Sequence, residues 1–324
     1  MISTPVPGLE LPITRFVLGT MTFGDTADEA ASATILDAAL DAGITVIDTA
    51  NGYAGGATEE ILGRLLPGRS GYLLASKAGM PHPDAADATP LSAAGLRASV
   101  EGSLRRLGVE RIDLFYLHQP DRVAPLTETL STVAALVAEG KIGALGVSNF
   151  AAWQIGDVIR VAEEVGAPRP VVAQQLYNLV ARRIETEYVE FAAAHDVHTM
   201  VYNPLGGGLL TGKHRFDEAP GTGRFGDSRL AAMYRERYWN DQLFEAIGRL
   251  AGLADEAGIS LVELSFRWLF AKPGVGSVLL GGSKPSQFAG NLALASADPL
   301  DPALVEAADA AGAALLGVAP PYNR

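Results

Sequence analysis

Short apolar runs rich in β-branched residues alternate along this chain with longer stretches whose apolar positions recur every three or four residues. The short runs fall at 15–20, 45–49, 72–76, 112–117, 142–147, 171–176, 198–203 and 275–280, and they read as strands. Between them, 27–42, 91–107, 126–139, 151–165, 184–195 and 241–257 carry the helical period, with Ile35, Ala39 and Leu40 on one face of the first. Gly43, Gly108, Gly140, Gly166 and Gly258 stand where helices need a left-handed residue to stop. Strands apolar on both faces, alternating with helices, predict a parallel sheet covered by helices. Eight such units predict a (β/α)8 TIM barrel, with an open doubly wound sheet as the alternative.

No linker or low-complexity tract interrupts the pattern, so residues 1–324 are expected to form one domain. Two segments break the rhythm. Residues 206–240 make a long connection after the seventh strand, and 301–324 add a helix and a Pro-rich tail after the eighth unit. Loops of that length in a compact domain are usually functional or disordered. Tyr234, Tyr238 and Trp239 predict that this one is ordered and packs onto something.

Composition narrows the classes. Hydrophobic residues make up 48%, ample for a large core, but the apolar runs are far shorter than a membrane span. The opening "MISTPVPGLELP" lacks a basic segment followed by an apolar one, so secretion is not expected. With no cysteine, disulfides, thiolate metal sites and thiol nucleophiles are excluded. A net charge of −12 argues against general nucleic-acid or anionic-membrane binding. The expectation is a soluble cytoplasmic protein acting on a small molecule, as a monomer or a homo-oligomer.

In a barrel, the C-terminal strand ends converge on the face that carries chemistry. Here the second strand ends on Asp48, with Tyr53 five residues on in the turn of "TVIDTANGYAGGATEE". The third ends on Lys77, the fourth on His118, and the fifth on Ser148 and Asn149. The sixth contributes Gln174, and the seventh Tyr202 and Asn203. Singly, each has an ordinary structural reading: an Asp caps a helix, a loop Tyr covers a core edge, a Lys snorkels, a His sits half-buried. Four titratable groups on three successive strand ends point instead to chemistry. A Lys beside a phenol favours the phenolate and is expected to lower the Tyr53 pKa, while Asp48 keeps that Lys charged. A tuned Tyr protonates a developing alkoxide, and His118 can donate a hydrogen bond to a carbonyl oxygen.

These residues lie in motifs that resemble the aldo-keto reductase family over essentially the whole chain. "LGTMTFG" (18–24), "DTANGYAGGATEEILG" (48–63), "SK", "DLFYLHQPD" (113–121), "EGKIGALGVSNF" (139–150), "QQLYN" (174–178) and "YNPLGGGLLTGK" (202–213) follow in the family's order. The resemblance implies a catalytic tetrad of Asp48, Tyr53, Lys77 and His118. Two positions depart from the family pattern: Ala54 follows the tyrosine in place of Gly, and Thr58 rather than Ser precedes Glu59.

Hydride must come from a carrier, since no side chain supplies one, and a Rossmann fingerprint is absent. "GGLLTGKH" (207–214) nearly matches a P-loop, but His214 replaces the required Ser/Thr, so nucleotide hydrolysis is not expected. In "VLLGGSKPSQFAGN" (278–291), the strand ends in two glycines, then Ser283 and Lys284 lead into a helix whose first amides suit an anion. In the family the corresponding segment holds the adenosine 2′-phosphate, which implies contacts from Gly281, Ser283, Gln287 and Asn291. Gly290 stands where many relatives carry Glu near the adenine. By the same resemblance Ser148, Asn149 and Gln174 hold the carboxamide and Tyr202 stacks on the nicotinamide. Lys213 and Arg224 clasp the phosphates, and Gly19, Thr20, Met21, Asp48, Asn203, Pro204 and Leu205 complete the groove. Basic residues near the phosphate favour NADPH over NADH. The stretch 223–247 and the ending "PPYNR" resemble the aflatoxin-aldehyde reductase branch, which implies that Arg237 and Arg324 meet a substrate carboxylate.

The implied function is NADPH-dependent reduction of aldehydes, with ketones as a secondary substrate class, to alcohols. The competing reading is a cofactor-binding redox sensor, as in the family's potassium-channel β subunits; the intact tetrad favours the enzyme. A barrel isomerase or lyase needs a carboxylate base or metal cluster, and no convincing ligand spacing is present.

Overall fold

The computed structural model describes residues 1–218 and 220–317. A two-residue hairpin, β1 (Ser3–Thr4) and β2 (Ile13–Thr14), precedes eight further strands. These are β3 (Phe16–Gly19), β4 (Val46–Asp48), β5 (Leu73–Ala78), β6 (Ile112–Leu117), β7 (Ile142–Ser148), β8 (Pro170–Leu176), β9 (His198–Tyr202) and β10 (Ser277–Leu280). They pair in parallel in chain order, and β10 closes on β3 through Val278–Phe16, Leu279–Val17 and Leu280–Leu18. The sheet is a closed barrel, not an open doubly wound sheet.

The helices are α1 (Glu29–Asp41), α2 (Ala57–Leu65), α3 (Ala93–Leu107), α4 (Leu126–Ala138), α5 (Ala152–Val165), α6 (Tyr188–Ala194), α7 (Ala231–Tyr238), α8 (Asp241–Glu256), α9 (Leu261–Ala271), α10 (Pro285–Leu292) and α11 (Pro302–Ala313). Side chains of Asp28, Ser92, Asn240, Ser260 and Asp301 accept backbone N–H bonds at the starts of α1, α3, α8, α9 and α11. Gly108 and Gly166 end α3 and α5 in the left-handed conformation. The sequence pattern missed α2, α9 and also α7, which lies inside the segment read as a loop. Helix α2 follows a glycine-rich turn and runs only nine residues; α9 ("LVELSFRWLFA") is so apolar that its helical period is masked.

Strand alternation sorts the core into two layers. Val17, Val46, Ala75, Leu114, Tyr116, Ala144, Val172 and Met200 fill the lumen, and Val6 and Ile13 of the hairpin segment pack against this cluster. Phe16, Leu18, Ile47, Leu74, Phe115, Leu145 and Val201 pack outward against the helices. Tyr116 is fully buried, and a Cβ on Gly146 would lie 2.5 Å from its ring, so glycine is required there. The interior is therefore solid, and the next inward-facing residues are Asp48 and Lys77.

The described residues of the 206–240 connection pack onto the barrel. The connection carries two 3-10 turns and α7, and buries Phe225, Tyr234 and Tyr238. Ser228 Oγ donates to Asp25 Oδ2 at 3.0 Å, tying it to the loop after β3. In its near-P-loop stretch, a Cβ on Gly207 (φ +73°) would sit 2.6 Å from the Tyr234 ring, so glycine is required there. Among the described residues, no helix is long and apolar enough to cross a membrane.

Candidate active site

Strand alternation turns Asp48 and Lys77 into the barrel mouth, where both side chains are fully buried and form a salt bridge. Lys77 Nζ also donates to Thr49 O at 2.8 Å and to Tyr53 OH at 3.2 Å, so its three protons have three acceptors. The second Asp48 oxygen accepts from Gln174 Nε2 at 2.9 Å. Thr20, fully buried, donates its hydroxyl and its amide to Asp48 O. The carboxylate is thus fixed from both sides and the ammonium is aimed at the phenol.

Tyr53 begins a turn in which Ala54, Gly55 and Gly56 all take positive φ (47°, 66° and 99°). Ala54 accepts the left-handed conformation that its glycine counterpart would adopt freely. Thr58 keeps the hydroxyl of the family's Ser, donating to Phe23 O at 2.7 Å. The His118 ring stands edge-on to Tyr53, with centroids 5.9 Å apart. Its Nδ1 is buried with no hydrogen-bond partner.

Electrostatics correct one expectation. Burial raises the Tyr53 pKa above the phenol's ordinary value, and Lys77 offsets that only in part. The lysine does not bring the phenol below its usual range; it limits the rise that burial imposes. Tyr53 therefore rests neutral and holds the proton an acid must deliver. Burial also works against the Lys77 ammonium, but Asp48 and Tyr53 outweigh it, and its pKa ends raised. Burial, then Lys77, pushes His118 down to about 3, so its imidazole is neutral.

Beside the tetrad lies a hydrogen-bonded row. Ser148 Oγ donates to Gln174 O at 3.0 Å, Asn149 Nδ2 to His118 O at 2.9 Å, and Tyr202 OH to Asn149 Oδ1 at 2.6 Å. Asn149 and Asn203 both have φ of 62°. Asn203 caps the long connection by accepting from Gly207 N and donating to Tyr238 OH. Gly19, Met21, Pro204 and Leu205 are half-buried around the row.

At the far side of the mouth, Ser283 and Thr26 hydroxyls are 2.6 Å apart, and Lys284 is exposed at the start of α10. No side chain caps that helix start. Its first amides, beside Gly281, are therefore available to a phosphate, and the residues fit a nucleotide there. Gly281 and Gln287 are exposed and Asn291 is half-buried. Lys213 is exposed, whereas Arg224 donates to Tyr234 OH at 2.7 Å and lies over its ring. Arg237 makes no ion pair among the described residues and influences Tyr202 and Tyr238 electrostatically. It lines a cavity of about 480 Å3 with Asn149, Tyr202 and Leu315. Arg324 lies outside the described residues.

The sequence profile of the Aldo/keto reductase family matches residues 15–313. The chain belongs to the aldo/keto reductase family. It is an oxidoreductase of carbonyl and alcohol groups. It is 36% identical over 321 residues to rat (Rattus norvegicus) aflatoxin B1 aldehyde reductase member 2, covering 95% of this chain and 87% of that one. It is 30% identical over 285 residues to a probable voltage-gated potassium channel subunit beta of Arabidopsis thaliana, 86% of each chain. Among solved structures, a glycerol dehydrogenase from Gluconobacter oxydans superposes with a TM-score of 0.81 at 29% identity, over 99% of this chain and 98% of that one. The family motif pointed to Asp48, Tyr53, Lys77 and His118, which the fold brings together, but no sequence signal disclosed that Gln174 braces Asp48 or that Thr20 holds its backbone.

Proposed function

We propose that this protein reduces aldehydes to alcohols with NADPH, Tyr53 delivering the proton. The observation that carries the reading is the Asp48–Lys77–Tyr53 chain beside a neutral His118. A bound dihydronicotinamide supplies the hydride. Neutral His118 donates a hydrogen bond to the carbonyl oxygen and orients it toward Tyr53. As negative charge grows on that oxygen, the Tyr53 proton moves to it, and the phenolate left behind is stabilised by the Lys77 ammonium at 3.2 Å. Asp48 and Thr49 O hold that ammonium in place without titrating in the cycle.

The test is Tyr53→Phe. General acid catalysis contributes about 10²- to 10⁴-fold, so kcat should fall by that much while NADPH binding, followed by fluorescence quenching, stays the same. Near-normal turnover would show that the acid is another group.

The open start of α10, with Ser283 and Lys284 beside it, supports NADPH as the preferred carrier. Each charge-assisted contact to a 2′-phosphate contributes about 1.5–3 kcal/mol. Two contacts correspond to a preference over NADH of about a hundredfold or more; equal dissociation constants would sink this assignment. The guanidinium of Arg237, which lines the cavity beside Tyr202 and makes no ion pair among the described residues, supports short aldehydes bearing a carboxylate as substrates.

A further inference from the structure

Behind the Tyr53 turn, on the outer side of the barrel wall, sits a charge cluster that the proposed chemistry does not use. Glu59 of α2 is fully buried. Its Oε1 accepts from Ser76 Oγ at 2.6 Å and its Oε2 from Arg106 Nε at 2.9 Å. The same Arg106, on α3, forks onto Asp84 at 3.0 and 2.8 Å, and Asp84 faces His82 Nδ1 at 3.1 Å.

One end of this cluster reaches a reacting group through a single covalent neighbour, and the other through the turn that follows Tyr53. Ser76 directly precedes Lys77, and strand alternation points one outward and the other into the mouth. At the other end, a Cβ on Gly56 would lie 3.2 Å from Arg106 Cδ, so the arginine stem abuts the last residue of the left-handed run that begins after Tyr53. Within that turn, the left-handed backbone of Ala54 keeps its shape only if its surroundings impose it. A buried ionic cluster is a poor source of stability compared with apolar packing, but its fixed directions suit it to holding parts in register.

We propose that Arg106 is a positioning residue: through Glu59 and Ser76 on one side and Gly56 on the other, it sets the separation between Lys77 Nζ and Tyr53 OH. The inference rests on Tyr53 being the proton donor.

The consequence for pH has a definite sign. Reduction needs the protonated phenol, so it fails as pH rises through the Tyr53 pKa. Lys77 is the strongest influence lowering that pKa, whereas Asp48 and Tyr234 raise it; the neutral His118 ring and Tyr116 and Tyr202 also face the phenol. Loosening the Lys77 contact therefore moves the alkaline limb to higher pH.

The experiment compares the charge-balanced double variant Arg106→Met/Glu59→Gln and the single variant Arg106→Lys with wild type, each saturated with NADPH. Misplacement by about 1 Å costs up to roughly a hundredfold. The double variant should lose about ten- to a hundredfold in kcat, keep its NADPH dissociation constant within about twofold, and show the raised alkaline limb. Arg106→Lys, which keeps the charge but not the fork, should recover part of both. If the double variant does not fold, Ser76→Ala is read for the same limb shift. A kcat loss that only tracks the folded fraction by near-UV circular dichroism, with the limb unmoved, overturns the proposal. Activity retained by Tyr53→Phe removes the underlying reading instead; an inactive Tyr53→Phe beside an unaltered double variant removes only the positioning role.

Discussion

Replacing Lys77 by Met should destabilise the protein more than it would if its partner were replaced as well. In the single variant Asp48 stays fully buried with Gln174 Nε2 as its remaining side-chain donor, and Thr49 O and Tyr53 OH lose theirs. Breaking a buried pair from one side costs about 3–5 kcal/mol, because the surviving charge has neither water nor a partner. Asp48→Asn strands the ammonium and should cost a similar amount. The double variant, of nearly the same volume and without charge, should lose only about 0–2 kcal/mol by the same reasoning. The double-mutant cycle then shows a coupling of about 4 kcal/mol or more, well above the value for surface pairs. Urea unfolding of the cofactor-free protein, followed by tryptophan fluorescence and circular dichroism, reads it. Activity should part from stability: all three variants lack the cation or its anchor beside Tyr53, so the double variant regains its fold but not its turnover. Additive destabilisation, or a double variant that works, would refute the electrostatic account of the tetrad.

Three further outcomes are expected. Arg237→Ala should raise KM for a short aldehyde bearing a carboxylate while sparing a neutral aldehyde of similar length; equal effects on both would mean that the residue shapes the cavity without reading charge. Burial depresses His118 to about 3 and His198 to about 4, against about 6.5 in an unfolded chain, so the unfolded state binds more protons below pH 6.5. Stability should fall by about 1.4 kcal/mol per pH unit for each histidine between roughly pH 6.5 and 4, and His198→Gln should remove its share of that slope; acid-independent stability would contradict the burial. Gly207→Ala should cost about 1–3 kcal/mol by forcing a methyl into the Tyr234 ring, and should expose the 206–240 connection to protease faster than wild type.

Most of the barrel was legible along the chain because its signals are local. The strand period, the helical period and the helix-ending glycines each span a few residues, and β6 runs over 112–117, the same residues as its apolar run. That Asp48, Tyr53, Lys77 and His118 share the barrel mouth was legible because Asp48 and Tyr53 lie in one motif and Lys77 and His118 close neighbouring strands. Where those signals thinned, the reading failed. The two-residue hairpin strands are too short for any period, and α9 is apolar on too many sides.

The sequence by itself determined which groups reach the mouth of the barrel, because alternation along a strand decides which side chains turn inward whatever surrounds them. The tertiary structure decided what those groups are there. Gln174, 126 positions from Asp48, fixes the carboxylate. Tyr234 of the long connection adds to the electrostatic setting of Tyr53. Desolvation by everything packed around the phenol outweighs the adjacent ammonium, which reverses the pKa direction that neighbouring residues alone suggest. A charge's environment is the sum over all atoms within several ångströms, and in a closed barrel those atoms come from all along the chain.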